Sequence, residues 1–396
     1  CAITIRGMRP VRVISATLPD GRALWTIGDW GNASEHIGRR WEEVGFAALT
    51  AALADRPALA GGELRAVLNL TTDPALQEQF SSLGLPNPDV VLLVEGKDGL
   101  CLRPVDLKWS LETASYHQIS AGALQALVTA ARPQFAALLQ AVGVPALTGS
   151  YRDGFFFAPD SRPNREFLTS PANRRQEYAL EPHEVVMVPV DPVAFFSPLP
   201  GWALAERLAR IDRVTTLSTV LETAERYYRL GAGIQGALVK LRTPLFSPEP
   251  AAVDVLEAFE DLARQVRPLT SANLLRAIER PMQARAERLQ RLRQLHRCPY
   301  TFRDLLQDLA GHGIVVPEDD TPEGRQARRP WVQIHRTVAA EHRQAINQAG
   351  MRLLASGLNE VQALEVLERR QEAFARQARE RARQLLAEAL ARSEGG

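Results

Sequence analysis

Two stretches decide the fold, Pro88-Asp89-Val90-Val91-Leu92-Leu93-Val94 and Pro104-Val105-Asp106-Leu107-Lys108-Trp109-Ser110. The first is apolar at every position after Asp89, which predicts a strand buried on both faces. The second alternates, so a strand from Leu102 to Ser110 would place its apolar side chains on one face and Asp106 and Lys108 on the other. Both stretches therefore predict strands of one sheet.

The sequence between these strands indicates how they pair. Lys97-Asp98-Gly99 has the chemistry of a hairpin turn. An antiparallel pair around it would bring the Asp89 carboxylate towards Asp106, while Asp106 and Lys108 lie about 7 Å apart along their strand. We expect the three side chains to converge.

The composition makes Lys108 unusual, because the chain has only three lysines among its 47 basic residues. Two carboxylates in a fixed geometry suit Mg²⁺ (or Mn²⁺), which keeps its other positions for water and phosphate oxygens. A metal lowers the pKa of a bound water, and a lysine can orient that water and neutralise developing charge. From spacing alone, an ordinary exposed face of a β-hairpin fits equally well.

An upstream helix, predicted from an N-cap at Ser34 to about Asp55, adds a third acid. Glu42 lies within a stripe of small and apolar residues at helical spacing: Gly38, Phe46, Leu49 and Leu53. A carboxylate in such a stripe needs a partner, which is either a divalent ion or an arginine.

These residues, in this order, resemble the PD-(D/E)xK nuclease superfamily with its restriction-endonuclease-like fold. The resemblance covers residues 34–190 and implies that Asp89 and Asp106 are metal ligands and Lys108 the catalytic lysine. It further implies that Glu42 completes the metal site and that Gln118 lies beside the lysine. The tyrosine that RecB-type members place after this glutamine is absent, as are the cysteines of the iron–sulfur members.

The chain of 396 residues is long enough for two domains. We expect an α/β (α+β) restriction-endonuclease-like core with a mixed sheet in residues 1–200, and a mostly α-helical, arginine-rich domain in residues 201–396. Strand signals nearly vanish after residue 200. The stretch 358–392 predicts one long amphipathic terminal helix, and the glycines of 230–236 indicate a helix break.

Charge is unevenly distributed. Residues 1–200 carry 17 basic and 21 acidic residues, whereas residues 201–396 carry 30 and 25. Between Arg264 and Arg303, ten arginines accompany only two glutamates. This stretch predicts a nucleic-acid-binding stripe, or else a solvated helix in an arginine-rich chain. The predicted phosphate contacts are Arg285, Arg288, Arg291, Arg293 and Arg297.

The expected function is Mg²⁺-dependent hydrolysis of nucleic-acid phosphodiester bonds, with DNA as the expected substrate. One alternative is a catalytically inactive nuclease-fold protein that binds nucleic acid or serves as a scaffold in a defence or mobile-element system. A third is a helical assembly subunit that forms a homodimer or binds a protein partner through its C-terminal helices.

The remaining sequence features set broad limits. No stretch is apolar enough for a membrane span and no signal pattern is present, so a cytoplasmic protein without a membrane partner is expected. The three cysteines lack zinc or iron–sulfur spacing. Because the chain begins at Cys1, we expect either a processed product or a missing upstream segment.

Overall fold

The computed structural model describes residues 13–17, 23–27, 30–71, 78–80, 82–96, 99–144, 150–176, 178–317 and 321–394. Contacts divide the chain into two compact units, one of Gly28–Gly233 and the other of Cys1–Ile27 with Ile234–Gly396. The division therefore falls later in the chain than the predicted boundary near residue 200. Residues 13–17 and 23–27, which fall within the expected first domain of residues 1–200, are grouped with the helical unit.

The first elements are a hairpin and a long helix. Strands β1 (Val13–Thr17) and β2 (Ala23–Ile27) pair antiparallel, and helix α1 runs over Trp30–Asp55. The N-cap predicted at Ser34 is wrong, because the helix begins one turn earlier. The Ser34 hydroxyl instead accepts a hydrogen bond from Arg229 at 2.8 Å.

A mixed sheet of six strands forms the centre of unit Gly28–Gly233. Its strands are β3 (Glu63–Asn69), β4 (Val90–Gly96), β5 (Gly99–Leu107), β6 (Ser150–Tyr151), β7 (Phe155–Pro159) and β8 (Val185–Val188). The spatial order is β3-β4-β5-β7-β8, with β6 beside β5. Strands β3, β4 and β5 are antiparallel neighbours, whereas β7 runs parallel to β5 and β8 parallel to β7. The predicted α/β core with a mixed sheet is therefore present.

Glycine permits the close approach of two parallel strands. A Cβ at Gly154 would lie only 1.6 Å from the carbonyl oxygen of Pro104. No other residue fits there without moving the backbone, so Gly154 allows β7 to begin beside β5.

Helices cover both faces of the sheet. Helices α2 (Ala121–Ala130) and α3 (Arg132–Ala141) contribute Leu124, Leu127 and Phe135 to a core with strand residues such as Leu93 and Leu102. On the other side α1 buries Trp41, which stacks on Phe157 of β7 at 6.2 Å between ring centroids. Burial of such large side chains contributes about 1.5–3 kcal/mol each.

Short helices connect the sheet to the helical region. They are α4 (Arg162–Thr169), α5 (Pro171–Arg174), α6 (Pro192–Phe196), α7 (Trp202–Ile211) and α8 (Leu221–Arg242). The break predicted at 230–236 is wrong, since α8 continues through it. A Cβ at Gly231 would lie 2.9 Å from the Ala205 nitrogen, so this glycine serves helix packing.

Among the described residues beyond α8, every regular element is a helix. These are α9 (Val255–Gln265), α10 (Ser271–Leu295), α11 (Phe302–Gly311), α12 (Pro322–Ala355), α13 (Glu360–Arg369) and α14 (Gln371–Glu394). In this described part of the chain, no helix combines the length and the apolar character that a bilayer crossing requires.

The single terminal helix predicted over 358–392 is wrong, because the chain turns at Arg370 between α13 and α14. The two helices bury their apolar faces in different clusters. Leu364 and Leu367 of α13 pack with Phe246, whereas Ala378 and Ala382 of α14 pack with Val338 of α12.

Candidate active site

The register of the central hairpin brings the predicted acids together. Val90 of β4 pairs with Val105 of β5, so the next position places Asp89 opposite Asp106. The backbone of Asp89 is held from the other side as well, because its carbonyl accepts a hydrogen bond from Leu70 at 2.8 Å. The predicted antiparallel pairing is confirmed, although residues 97 and 98 of the predicted turn lie outside the described residues.

Asp106 and Lys108 form an ion pair at the end of β5. Lys108 Nζ lies 2.8 Å from Asp106 Oδ2, with 1% of the aspartate side chain and 19% of the lysine side chain exposed. The strand ends at Leu107 rather than at the predicted Ser110, yet the backbone of Lys108 still donates to Phe157 at 3.0 Å. The alternation that places both side chains on one face is therefore maintained.

Asp89 is oriented by the backbone of β5. Its Oδ2 accepts a hydrogen bond from the Leu107 nitrogen at 2.7 Å. The side chain of Asp89 is thus fixed by a backbone group that lies between Asp106 and Lys108 in sequence. Both carboxyl groups are held without help from flexible side chains other than the lysine.

Burial makes this pair of acids electrostatically unusual. The pKa of Asp89 is raised well above its ordinary value, mainly by burial and then by the nearby Asp106 charge. The pKa of Asp106 is also raised by burial, although Lys108 and hydrogen bonding with Asp89 oppose that effect. Two buried acids beside one lysine favour retention of a proton until another cation replaces it.

Glu42 faces the same cluster from α1. Its side chain is half-buried, and burial raises its pKa. Lys108 opposes this shift while Asp106 adds to it, so both lie within electrostatic reach of Glu42. The predicted stripe is present around it, because Leu49 and Leu53 are buried.

The donor set can be tested for a metal ion. Among the described residues, no group of three or more Asp, Glu, His or Cys side chains is arranged to hold one. Asp89 and Asp106 nevertheless offer two adjacent carboxyl groups, and Oδ2 of Asp106 is buried without a well-aligned hydrogen bond. Since Mg²⁺ often takes only one or two carboxylates, these two residues fit such an ion, with Glu42 outside the immediate donor set.

Gln118 lies in a 3₁₀ turn, Tyr116–Gln118, rather than in a long helix. Its side-chain oxygen accepts a hydrogen bond from the Ser115 nitrogen at 3.2 Å and so closes a capping box. Within the part of the chain that the structure describes, its side chain bonds only inside this turn. The expectation that Gln118 lies beside Lys108 remains a prediction from the resemblance.

An aromatic cluster behind Lys108 was not expected from the sequence. Trp109 stacks on Phe195 at 4.5 Å and meets Trp41 edge-on at 5.9 Å, measured between ring centroids. The indole nitrogen of Trp109 donates to Glu225 at 3.0 Å. The run Phe155-Phe156-Phe157 is typical of a buried strand. No local pattern, however, indicates that this region packs against the later helices that carry Phe195 and Glu225.

A buried asparagine fixes the end of the site. Asn164 of α4 accepts a hydrogen bond from the Leu111 nitrogen at 3.0 Å, and its amide donates to the carbonyls of Trp109 and Pro159 at 3.1 and 3.0 Å. This residue joins the segments that follow β5 and β7. Sequence alone gave no signal for it.

The predicted arginine stripe separates into two sets. Arg285 and Arg288 of α10 pair with Glu360 of α13 at 2.6 and 2.9 Å, and Arg291 pairs in a bidentate manner with Glu368. Those three residues are therefore engaged in helix packing. Two exposed members remain, Arg293 and Arg297.

Comparison with known proteins gave no match. No protein-family model, curated protein or solved structure is significantly similar to this chain.

Proposed function

We propose that the chain is a metal-dependent nuclease with a restriction-endonuclease-like core. The observation that carries this proposal is the convergence of Asp89, Asp106 and Lys108 at the end of one antiparallel hairpin. A helix that precedes a mixed sheet supports the fold that the sequence resemblance implies. DNA is the proposed substrate.

In this proposal, Asp89 and Asp106 hold a divalent cation, which supplies an activated water and screens the charge on the phosphodiester. The Leu107 nitrogen keeps Asp89 in its orientation, and the strand backbone keeps Asp106 opposite it. Lys108, whose ammonium lies 2.8 Å from Asp106, would donate towards the attacking water or a phosphate oxygen. The buried indole of Trp41 and the half-buried indole of Trp109 limit the movement of the strand end that carries Lys108.

Glu42 is placed as a carboxylate near the cluster rather than as a direct ligand. Because burial raises its pKa, Glu42 takes up a proton more readily than an exposed glutamate, which suits a group that exchanges a proton with a water in the site. Replacement by glutamine would keep its size while removing that capacity.

The decisive experiment measures Mg²⁺-dependent cleavage of linear and circular DNA by the wild type, Asp106→Asn and Lys108→Ala. We expect each variant to lose about 10²–10⁴-fold in rate, because each removes a charge that acts on the reacting atoms. Asp160→Asn is a matched control, since Asp160 follows β7 of the same sheet but pairs with Arg165 on the surface. Equal cleavage by all four proteins would contradict the proposal and indicate a contaminating nuclease.

A catalytically inactive binding protein is the second candidate. The observation that favours it is that Lys108 already neutralises one acid. Asp89, Asp106 and Lys108 together therefore need only one proton to have no net charge. Calorimetric titration with Mn²⁺ distinguishes the two. Heat that disappears in Asp89→Ala favours the enzyme, whereas no heat with the wild type favours the binding protein.

A further inference from the structure

Helix α12 carries a second concentration of arginines that differs from the stripe on α10. Over Pro322–Ala355 it has six arginines and two acids, Glu323 and Glu341. Glu341 is already paired with Arg381 of α14, at 2.8 and 3.2 Å. The adjacent helix α14 is also arginine-rich, but it carries four glutamates with its five arginines. A general preference for arginine therefore does not explain the charge of α12.

The arginines of α12 line two grooves. One groove of about 810 Å³ is lined by Arg343 and Arg352, and a second of about 610 Å³ by Arg336 and Arg343. The grooves share Ala340, Arg343 and Gln344, so they adjoin along the helix. We call this surface the α12 arginine face. The polar residues that line the two grooves are Arg336, Arg343, Arg352, Gln333, Gln344, Asn347, Gln348, His296, His335, Thr337 and one acid, Glu341, which pairs with Arg381.

The geometry of this face leaves its cations available. Arg336, Arg343 and Arg352 are exposed. The Nε atoms of Arg343 and Arg352 donate to the carbonyls of Ala339 and Gln348 on their own helix, at 3.2 and 3.3 Å. These bonds fix the stems of the side chains and leave the terminal guanidinium nitrogens to face outward. None of the three arginines has a carboxylate partner within the described ranges.

The spacing suits a linear polyanion. Arg336 and Arg343 are seven residues apart, so they lie on one side of the helix about 10.5 Å apart along its axis, whereas Arg352 lies about 13.5 Å further on and half a turn around it. Duplex DNA presents one charge per ~1.7 Å of its axis, so the distance between Arg336 and Arg343 spans about six phosphates. Between the arginines, glutamine and asparagine amides are donors commonly used towards phosphate oxygens.

His296, on the wall of the larger groove, does not add to the positive charge. Burial lowers its pKa, and the nearby Arg343 lowers it further, although a 2.8 Å hydrogen bond with Asn347 opposes this. The charge of the face therefore comes from arginine, which stays protonated at all physiological pH values.

We propose that the α12 arginine face binds the phosphate backbone of duplex DNA. This inference rests on the proposed nuclease function for the identity of its partner, but it concerns binding and not cleavage. It assigns phosphate binding to α12, whereas Arg285, Arg288 and Arg291 of α10 hold helices together.

The test is fluorescence anisotropy with a labelled DNA duplex, in EDTA so that no cleavage occurs, over a series of salt concentrations. The variant combines Arg336→Gln, Arg343→Gln and Arg352→Gln. We expect it to bind at least about tenfold more weakly, and the slope of log affinity against log salt to fall by about 2.7, or 0.9 per lost phosphate contact. The matched control, Arg376→Gln with Arg379→Gln and Arg383→Gln, removes three exposed charges from α14 and is expected to keep the wild-type slope.

Several results would overturn the inference. They are equal slopes for the wild type and the α12 variant, equal losses in both triple variants, or tighter wild-type binding to single-stranded DNA or RNA of the same length. Loss of a dimer in sedimentation, with DNA binding unchanged, would assign the face to a second copy of the chain. Failure of the nuclease proposal is separate, since it would appear as absent cleavage while the salt slopes still differ.

Discussion

Two buried charge clusters of this protein have opposite compositions. In the sheet, Asp89 and Asp106 share one lysine, and Glu42 adds further negative charge nearby. Between the helices, Arg285 and Arg288 share one carboxylate, Glu360. One cluster has an excess of acid and the other an excess of base.

The difference lies in how each excess can be relieved. Arginine cannot release its proton in a protein, so the charge of Arg285 is balanced by fixed groups, with Nη1 donating to Glu360 and Nη2 to the Thr243 carbonyl, each at 2.6 Å. Carboxyl groups can take up a proton or a divalent cation instead. The basic cluster is therefore a permanent helix-packing contact, whereas the acidic cluster can change state with pH or metal.

The largest expected effect comes from breaking the basic cluster. Glu360→Ala would leave Arg285 buried without its carboxylate, and the Leu245 nitrogen would lose its 2.8 Å bond to Glu360. We expect the free energy of unfolding to fall by about 3–5 kcal/mol, measured by urea denaturation. Glu365→Ala, an exposed carboxylate on the same helix, is the control. A loss below about 1 kcal/mol for Glu360→Ala would remove the structural role assigned to the cluster.

A cation should stabilise the acidic cluster but not the basic one. At a free Mn²⁺ concentration of 100 times its dissociation constant, binding to the folded state raises the free energy of unfolding by about 2.7 kcal/mol. We expect this gain at neutral pH in the wild type and in Arg291→Gln, and its loss in Asp106→Asn. Thermal unfolding with and without Mn²⁺ measures it. A gain that persists in Asp106→Asn would place the cation elsewhere.

The smallest effect concerns pH in the absence of metal. Because the pKa values of Asp89 and Asp106 are raised in the folded state, the folded protein holds more protons than the unfolded chain above the ordinary aspartate pKa of about 3.9. Their contribution is therefore present at acid pH and is lost as pH rises through the raised values. Asp89→Asn removes the repulsion between the two acids. In this variant we expect the free energy of unfolding to fall less as pH rises, and at neutral pH to exceed that of the wild type by on the order of 1 kcal/mol.

Urea titrations at a series of pH values, run in EDTA, would measure this dependence. The control is Asp160→Asn, whose carboxyl lies on the surface. Identical pH profiles for the wild type and Asp89→Asn would contradict the repulsion between the two buried acids.

The sequence predicted the acidic cluster well because the relevant contacts are local. Asp106 and Lys108 are two residues apart on one strand, and Asp89 is reached through a short hairpin whose register follows from pairing of apolar strands. The helical periodicity around Glu42 was similarly local. Short-range geometry was enough to bring Asp89, Asp106 and Lys108 together, whereas Glu42 reaches them only because α1 packs against β5.

The arginines were harder to interpret. A run of ten arginines looks the same in sequence whether its side chains face solvent or a neighbouring helix. Arg285 and Glu360 are 75 residues apart. No local pattern could have paired them or distinguished α10 from α12.

The sequence by itself determined the strands of the central hairpin and the residues that meet at its end, because alternation and antiparallel pairing act over a few residues. Tertiary structure decided where α13 and α14 separate, why α8 continues past Gly231, and which arginines are engaged by Glu360 and Glu368. Those outcomes depend on packing between segments distant in the chain. A buried charge takes its role from the partner that the fold supplies.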